Sequence, residues 1–178
     1  MFKKILAGLG LIFTVFVVIA ALKPAEYIIK RDVMINAKPE SIFPLLNSMK
    51  NADTWMPWKE SDPQVQNTYS GPEDGIGSVS SWDSPGQMGT GTAEVVGVIL
   101  NQSVKTKITY TKPMEMSQDS EFILTPKGDS TQMTWVVTGK QPFFGRLIST
   151  LILMNMDKYV GGMFEKGLNK LKLIVEGK

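Results

Sequence analysis

Residues 155–172 read NMDKYVGGMFEKGLNKLK, and their apolar positions recur at helical spacing. Val160, Phe164, Leu168, Leu171 and Val175 form one stripe, the face such a helix buries. The pattern extends back to Phe143 and on to Glu176 without a proline. Its first half carries a second stripe of Leu147, Leu151 and Met154, rotated by roughly 120° at 100° per residue. Gly161 and Gly162 follow this phase change, and each costs a helix about 1 kcal/mol relative to alanine. The spacing predicts one long helix that bends near Gly161, or two helices. Lys166, Lys170 and Lys172 suit the negative end of the helix dipole.

Upstream of this helix the pattern has a period of two. Gln102 to Thr111 alternates most clearly, with Val104, Ile108 and Tyr110 inward and Lys105, Lys107 and Thr109 in solvent. Thr131 to Gly139 turns Met133, Trp135 and Val137 to one side. Further strands are expected at Tyr27–Ile35, Val65–Tyr69, Ile76–Trp82, Thr92–Leu100 and around Phe122 and Leu124. Turn signals such as Pro126-Lys127-Gly128-Asp129 make the run an antiparallel meander. Pro39 opens a helix carrying Ile42, Phe43, Leu45 and Leu46, which Pro44 shortens or kinks. The expected class is α+β: a curved antiparallel sheet wrapped around a long C-terminal helix.

The N-terminus differs. Lys3 and Lys4 precede Ile5–Leu22, eighteen uncharged residues in which only Thr14 is polar. As a helix this run is about 27 Å long, close to the ~30 Å apolar core of a bilayer. Residues 1–23 thus read as a single-pass anchor, or as a signal segment cut after Val18-Ile19-Ala20. Lys3 and Lys4 favour an N-terminus in the cytoplasm and a domain outside it. Cleavage would instead leave a secreted or periplasmic protein. Residues 24–178 form the folded domain.

Composition narrows the chemistry. The chain has neither cysteine nor histidine, which removes thiolate nucleophiles, the usual general base near neutral pH and the commonest metal ligands. Beyond residue 23 there are 16 basic and 17 acidic residues, so no basic excess points to nucleic acid. No phosphate-cradling loop is present: Gly86, Gly89 and Gly91 lack the strand-glycine-helix order and suit a bent strand instead. No metal or cofactor is implied, and the oligomeric state is left open.

Several strings in this order resemble the SRPBCC, or START-like, superfamily, and most of all its bacterial polyketide cyclase/dehydrase-like branch. They are WMPW (55–58) followed by Asp62-Pro63, YSGPEDGIGSVSSW (69–82), MGTG (88–91) and residues 155–172. The resemblance covers residues 27–176. It implies a helix-grip fold with a pocket between sheet and C-terminal helix that holds lipids, sterols, polyketides or other apolar molecules. Only some relatives are enzymes.

On that reading Trp55, Met56 and Trp58 line or cap the pocket rim, stiffened by Pro57 and Pro63; on the plainer one they fill a core gap. Met88, Met114, Met116, Met133, Met154, Met156 and Met163 lie in or near elements bordering the interior, where flexible thioethers accept varied shapes. Candidate ligand contacts are Trp55, Met56, Trp58, Trp82, Met88, Tyr110, Met114, Trp135, Met156, Tyr159 and Met163. The weak catalytic candidate is Asp157, with Tyr110 or Tyr159 as partner: facing a cavity, its pKa would rise. Otherwise it is an exposed helix acid. Asp53, Glu60 and Asp62 read as solvated loop acids or turn formers. Phe143-Phe144 and the run from Leu147 to Met154 are either buried on both sides, or touch a membrane or form the cavity portal.

Three functions stay open. The first is a membrane-tethered or exported binder of a small hydrophobic ligand. The second is a cyclase- or dehydrase-like enzyme using Asp157. The third is a ligand-free interaction module with a filled interior.

Overall fold

A computed structural model describes residues 2–86, 88–153 and 155–177. Helix α1 (Phe2–Leu22) is apolar from Ile5 onward, and three residues, 23–25, link it to strand β1 (Glu26–Ile35). Four short helical turns follow: α2 (Pro39–Ile42), a 3-10 turn (Phe43–Leu45), α3 (Met49–Ala52) and α4 (Trp58–Ser61). Pro39 takes the first position of α2, and the chain tightens into the 3-10 turn at Pro44. Six strands come next: β2 (Gln66–Ser70), β3 (Val79–Asp83), β4 (Thr90–Ile99), β5 (Ser103–Lys112), β6 (Met116–Lys127) and β7 (Ser130–Lys140). Helices α5 (Phe143–Leu151) and α6 (Met156–Glu176) end the chain.

The seven strands form one curved antiparallel sheet in the order β1-β7-β6-β5-β4-β3-β2. Every connection from β2 to β7 joins neighbours, and only β1 crosses over to pair with the last strand. Together with α6 this is the helix-grip architecture that the resemblance implied. The period-two reading of β5 holds: Lys105, Lys107 and Thr109 are exposed, and Lys107 pairs with Asp119 of β6 at 3.1 Å. Strand β6 is longer than Phe122 and Leu124 suggested, because its first residues alternate half-buried Met116 and Gln118 with exposed Ser117 and Asp119, a pattern without an apolar run.

The core lies between the β1-β7-β6 half of the sheet and α6. Met133, Trp135 and Val137 of β7 are at most 2% exposed. The Trp135 ring stacks on Phe164 of α6, with centroids 3.9 Å apart. Trp55 is fully buried beside them, its edge toward Phe122 and Trp135 at 5.5 and 5.6 Å, and its Nε1–H donates to the Leu45 carbonyl at 2.9 Å. Trp55 therefore joins the short-helix segment to the sheet and fills the core.

The final helical region is two helices, and the break lies earlier than Gly161. Leu153 adopts a left-handed backbone (φ 53°), and the Asn155 side chain caps α6 by accepting from the Lys158 N–H at 3.0 Å. This break accounts for the phase change between the two apolar stripes. Met154 lies outside the described residues. Gly161 sits inside α6 for a different reason. A Cβ there would overlap the guanidinium of Arg31, which reaches from β1 across the helix. Arg31 donates to the Asp157 carboxylate, the Asp157 carbonyl and Glu165, tying the edge strand to the start of α6.

Candidate functional site

The hollow in this domain is displaced from where a helix-grip reading put it. It has a volume of about 70 Å³ and lies against the β3-β4-β5-β6 half of the sheet, under the segment from Met49 to Trp58. Among the described residues α6 contributes nothing to its wall. The aromatic stack of Trp135 and Phe164, with Trp55 behind it, occupies the space between sheet and helix. What remains is the portion of the sheet that α6 does not reach.

Strand alternation builds the floor. Thr106, Ile108 and Tyr110 face inward from β5, Ser120 and Phe122 from β6, Ala93 from β4, and Ser80 and Trp82 from β3. Trp82 lies flat over Gly91, where a Cβ would collide with its ring. Its edge meets Tyr110 at 5.2 Å between centroids, and its Nε1–H donates to the Met88 carbonyl at 3.3 Å. The roof is Met49, Met56 and Trp58, with Met88 closing the side. Three methionines around one hollow make a wall that re-shapes by side-chain rotation.

The polar groups are few and mostly engaged. Tyr110 receives a hydrogen bond from Gln118 Nε2 at 3.3 Å, and burial pushes its phenol up to about 12. It stays protonated at neutral pH and serves as a donor. Ser120 Oγ accepts from Trp135 Nε1 at 3.0 Å. The Thr106 hydroxyl is buried and meets no partner among the described residues. Among the described residues Asp53 is the one carboxylate in the wall. Three donors hold it: Lys59 Nζ at 2.5 Å, Tyr69 Oη at 2.7 Å and Asn67 Nδ2 at 2.8 Å. Burial first, and Asp53 second, push the Tyr69 phenol up to about 12.

The structure brings together Met56, Trp58, Trp82, Met88, Tyr110 and Trp135 from the sequence candidates. It separates the others. Trp55 is core. Met114 is exposed at the start of the β5–β6 turn, and Tyr159 is exposed on α6. Met156 and Met163 are half-buried on α6, away from the hollow. Asp157 is corrected most clearly. It is exposed, and the Arg31 guanidinium holds its carboxyl below the ordinary value. It is a latch, and the rise in pKa that acid–base work required is absent. Asp53 and Asp62 are not solvated loop acids either, although Asp62 opens the expected turn, its carbonyl accepting from the Val65 N–H at 3.1 Å. Asp62 is 6% exposed and accepts from Ser84 Oγ at 2.8 Å and the Met88 N–H at 3.1 Å, which pins the loop beside the hollow. Glu60 is exposed and pairs with Lys170 of α6.

Sequence reasoning missed Met49, Asp53, Asn67, Ser80, Ala93, Thr106, Ser120 and Phe122. For Thr106 the signal was present, since it shares the parity of Ile108 and Tyr110. For Met49 and Asp53 none was, because their place depends on how the short helices fold over the sheet.

No curated protein matches the chain in sequence. Solved structures of the same fold do. A truncated norcoclaurine synthase from Thalictrum flavum superposes with a TM-score of 0.62 at 13% identity, covering 86% of this chain and 96% of that one. The Aha1 dimer from Colwellia psychrerythraea gives 0.59 at 18%, covering 84% and 96%. The protein MLL2253 from Mesorhizobium loti gives 0.59 at 15%, covering 85% and 98%. At such identities the likeness is one of fold. The sequence itself matches the family described as polyketide cyclase / dehydrase and lipid transport over residues 28–176. With sheet, closing helix and family match in agreement, the chain belongs to that family, within the START-like superfamily.

Proposed function

We propose that this protein binds a small, neutral, largely apolar molecule in the hollow between β3–β6 and the Met49–Trp58 segment, and does so tethered to a membrane by α1 with the domain outside the cytoplasm. The observation that carries the reading is the wall itself. Methionines and aromatic rings dominate it, and among the described residues the only carboxylate is already held by three donors and no cationic side chain lines it. The family's description, which includes lipid transport, supports hydrophobic ligands in general. Tyr110 offers a donor at the floor and Thr106 a free hydroxyl, so a ligand with one hydroxyl or carbonyl fits better than a plain hydrocarbon.

Size sets the scale of the ligand. About 70 Å³ is roughly half of the 150 Å³ cavity that takes up benzene. The hollow as it stands seats a chain end or a short apolar group, and a larger guest requires Met56 and Met88 to rotate outward. The test is native mass spectrometry of the protein taken from its source, followed by extraction and identification of retained molecules. A neutral apolar mass is expected, and Ala93→Phe, which plugs the floor, removes it while the circular dichroism spectrum stays unchanged. No retained mass, together with no uptake of a fluorescent fatty alcohol, overturns the reading.

A further inference from the structure

Helix α5 is built inside out. Its buried residues are polar: Ser149 and Thr150 are each 4% exposed, and both hydroxyls donate back to the Arg146 carbonyl, at 3.0 and 2.6 Å. Its exposed residues are apolar. Phe143, Phe144, Ile148 and Leu151 project outward, followed by Ile152 and Leu153, the last 82% exposed. A helix at the surface of a water-soluble domain shows the reverse arrangement. Six large apolar side chains exposed on one short stretch point to a surface that something covers.

What covers this patch follows from its neighbour. α5 packs against the end of α1. Phe16, Ile19 and Lys23 border a crevice whose other wall is Thr150, Leu153 and Asn155, and Arg146 Nη1 donates to the Lys23 carbonyl at 2.5 Å. From Phe16 to Lys23, the first residue past α1, the chain rises about 10 Å at 1.5 Å per residue. α1 is a 21-residue helix whose most apolar 18 residues have a mean hydropathy of 2.8, long enough to cross a bilayer. If it crosses, its last 10 Å lies at the depth to which interfacial helices sink, about 5–10 Å. The charge near the patch is basic: Arg146 is the only ionisable residue of α5, Lys23 meets it, and Lys158 follows in the first turn of α6. The nearby acids Asp157 and Glu26 are paired with Arg31 and Lys140.

We infer that α5 and the loop Ile152–Leu153 lie in the membrane interface, with Phe144, Ile148 and Leu153 among the acyl chains and Lys23, Arg146 and Lys158 at the headgroups. The inference rests on the tether proposed above, and the experiment separates the two. The chain has no cysteine, so single cysteines place an environment-sensitive fluorophore without background. Full-length protein is reconstituted into vesicles of phosphatidylethanolamine and phosphatidylglycerol carrying nitroxides either shallow or deep on the acyl chain. Phe144→Cys and Leu153→Cys report on the patch, Phe13→Cys on the middle of α1, and Thr68→Cys on the opposite edge of the sheet.

Blue-shifted emission at 144 and 153, quenched most by the shallow nitroxide, is the expected result, with Phe13→Cys quenched most by the deep one and Thr68→Cys by neither. Water-like emission at 144 and 153 overturns the inference. So does a blue shift that neither nitroxide quenches, which would mean the patch is covered by a second copy or another protein. Failure of the tether reads separately, as an unquenched Phe13→Cys.

Discussion

Trp55 and Trp58 are three residues apart and have different tasks. Trp55 is sealed in the core, and Trp58 shares its rings between that core and the roof of the hollow. Nothing in WMPW separates the two roles, because both depend on the path of the chain after Ala52. Residues on regular strands were easier to read, and Trp82, Tyr110 and Trp135 face inward as their parity requires. Thr106 has the same parity and the most testable chemistry. Its hydroxyl is desolvated with no partner among the described residues, which costs about 1–3 kcal/mol. Thr106→Val keeps the shape and removes the hydroxyl. Urea denaturation should show the variant at least as stable as the parent, while binding of a hydroxyl-bearing ligand weakens.

At the scale of elements, β5 and α6 could be read because one face of each is buried against the rest of the domain. The end of α5 could not. Its stop is made by a left-handed leucine and an asparagine cap, neither distinctive in composition, while the more obvious breaker Gly161 answers to an arginine 130 positions away in the chain. That arginine makes the β1–α6 junction sensitive to acid. Asp157 has a folded-state value below its unfolded one, so its contribution is complete above the ordinary carboxylate range of about 3.9 and fades as pH falls through the folded value. The urea midpoint of Asp157→Asn should lie below that of the parent at pH 7, and the gap should narrow as pH falls through the lowered folded-state value. No gap at pH 7 would show that Arg31 holds α6 through Glu165 and the Asp157 carbonyl alone.

For the whole molecule, strand order and the final helix were legible from periodicity, and the position of the hollow was not. Where space is left depends on which half of the sheet α6 covers and how large the aromatic side chains beneath it are. Those are long-range matters that no local pattern encodes. The same division predicts uneven stability. β1, β7 and β6 are ten to twelve residues long and lie under or beside α6, whereas β2 and β3 have five residues each and are covered by four-residue helices. Amide hydrogen exchange should find β7 protected to the level of global unfolding and β2–β3 opening far more often. Added ligand should slow exchange in β3 and the Met49–Trp58 segment, where the wall of the hollow lies.

The three residues between α1 and β1 have a consequence for transport. Three residues reach about 10 Å when fully extended. With α1 in a bilayer, the domain is leashed so closely that it cannot ferry cargo across an aqueous gap wider than its own body. Donor and acceptor would have to come to the same patch of lipid, and any traffic through this protein would be lateral, a search in two dimensions.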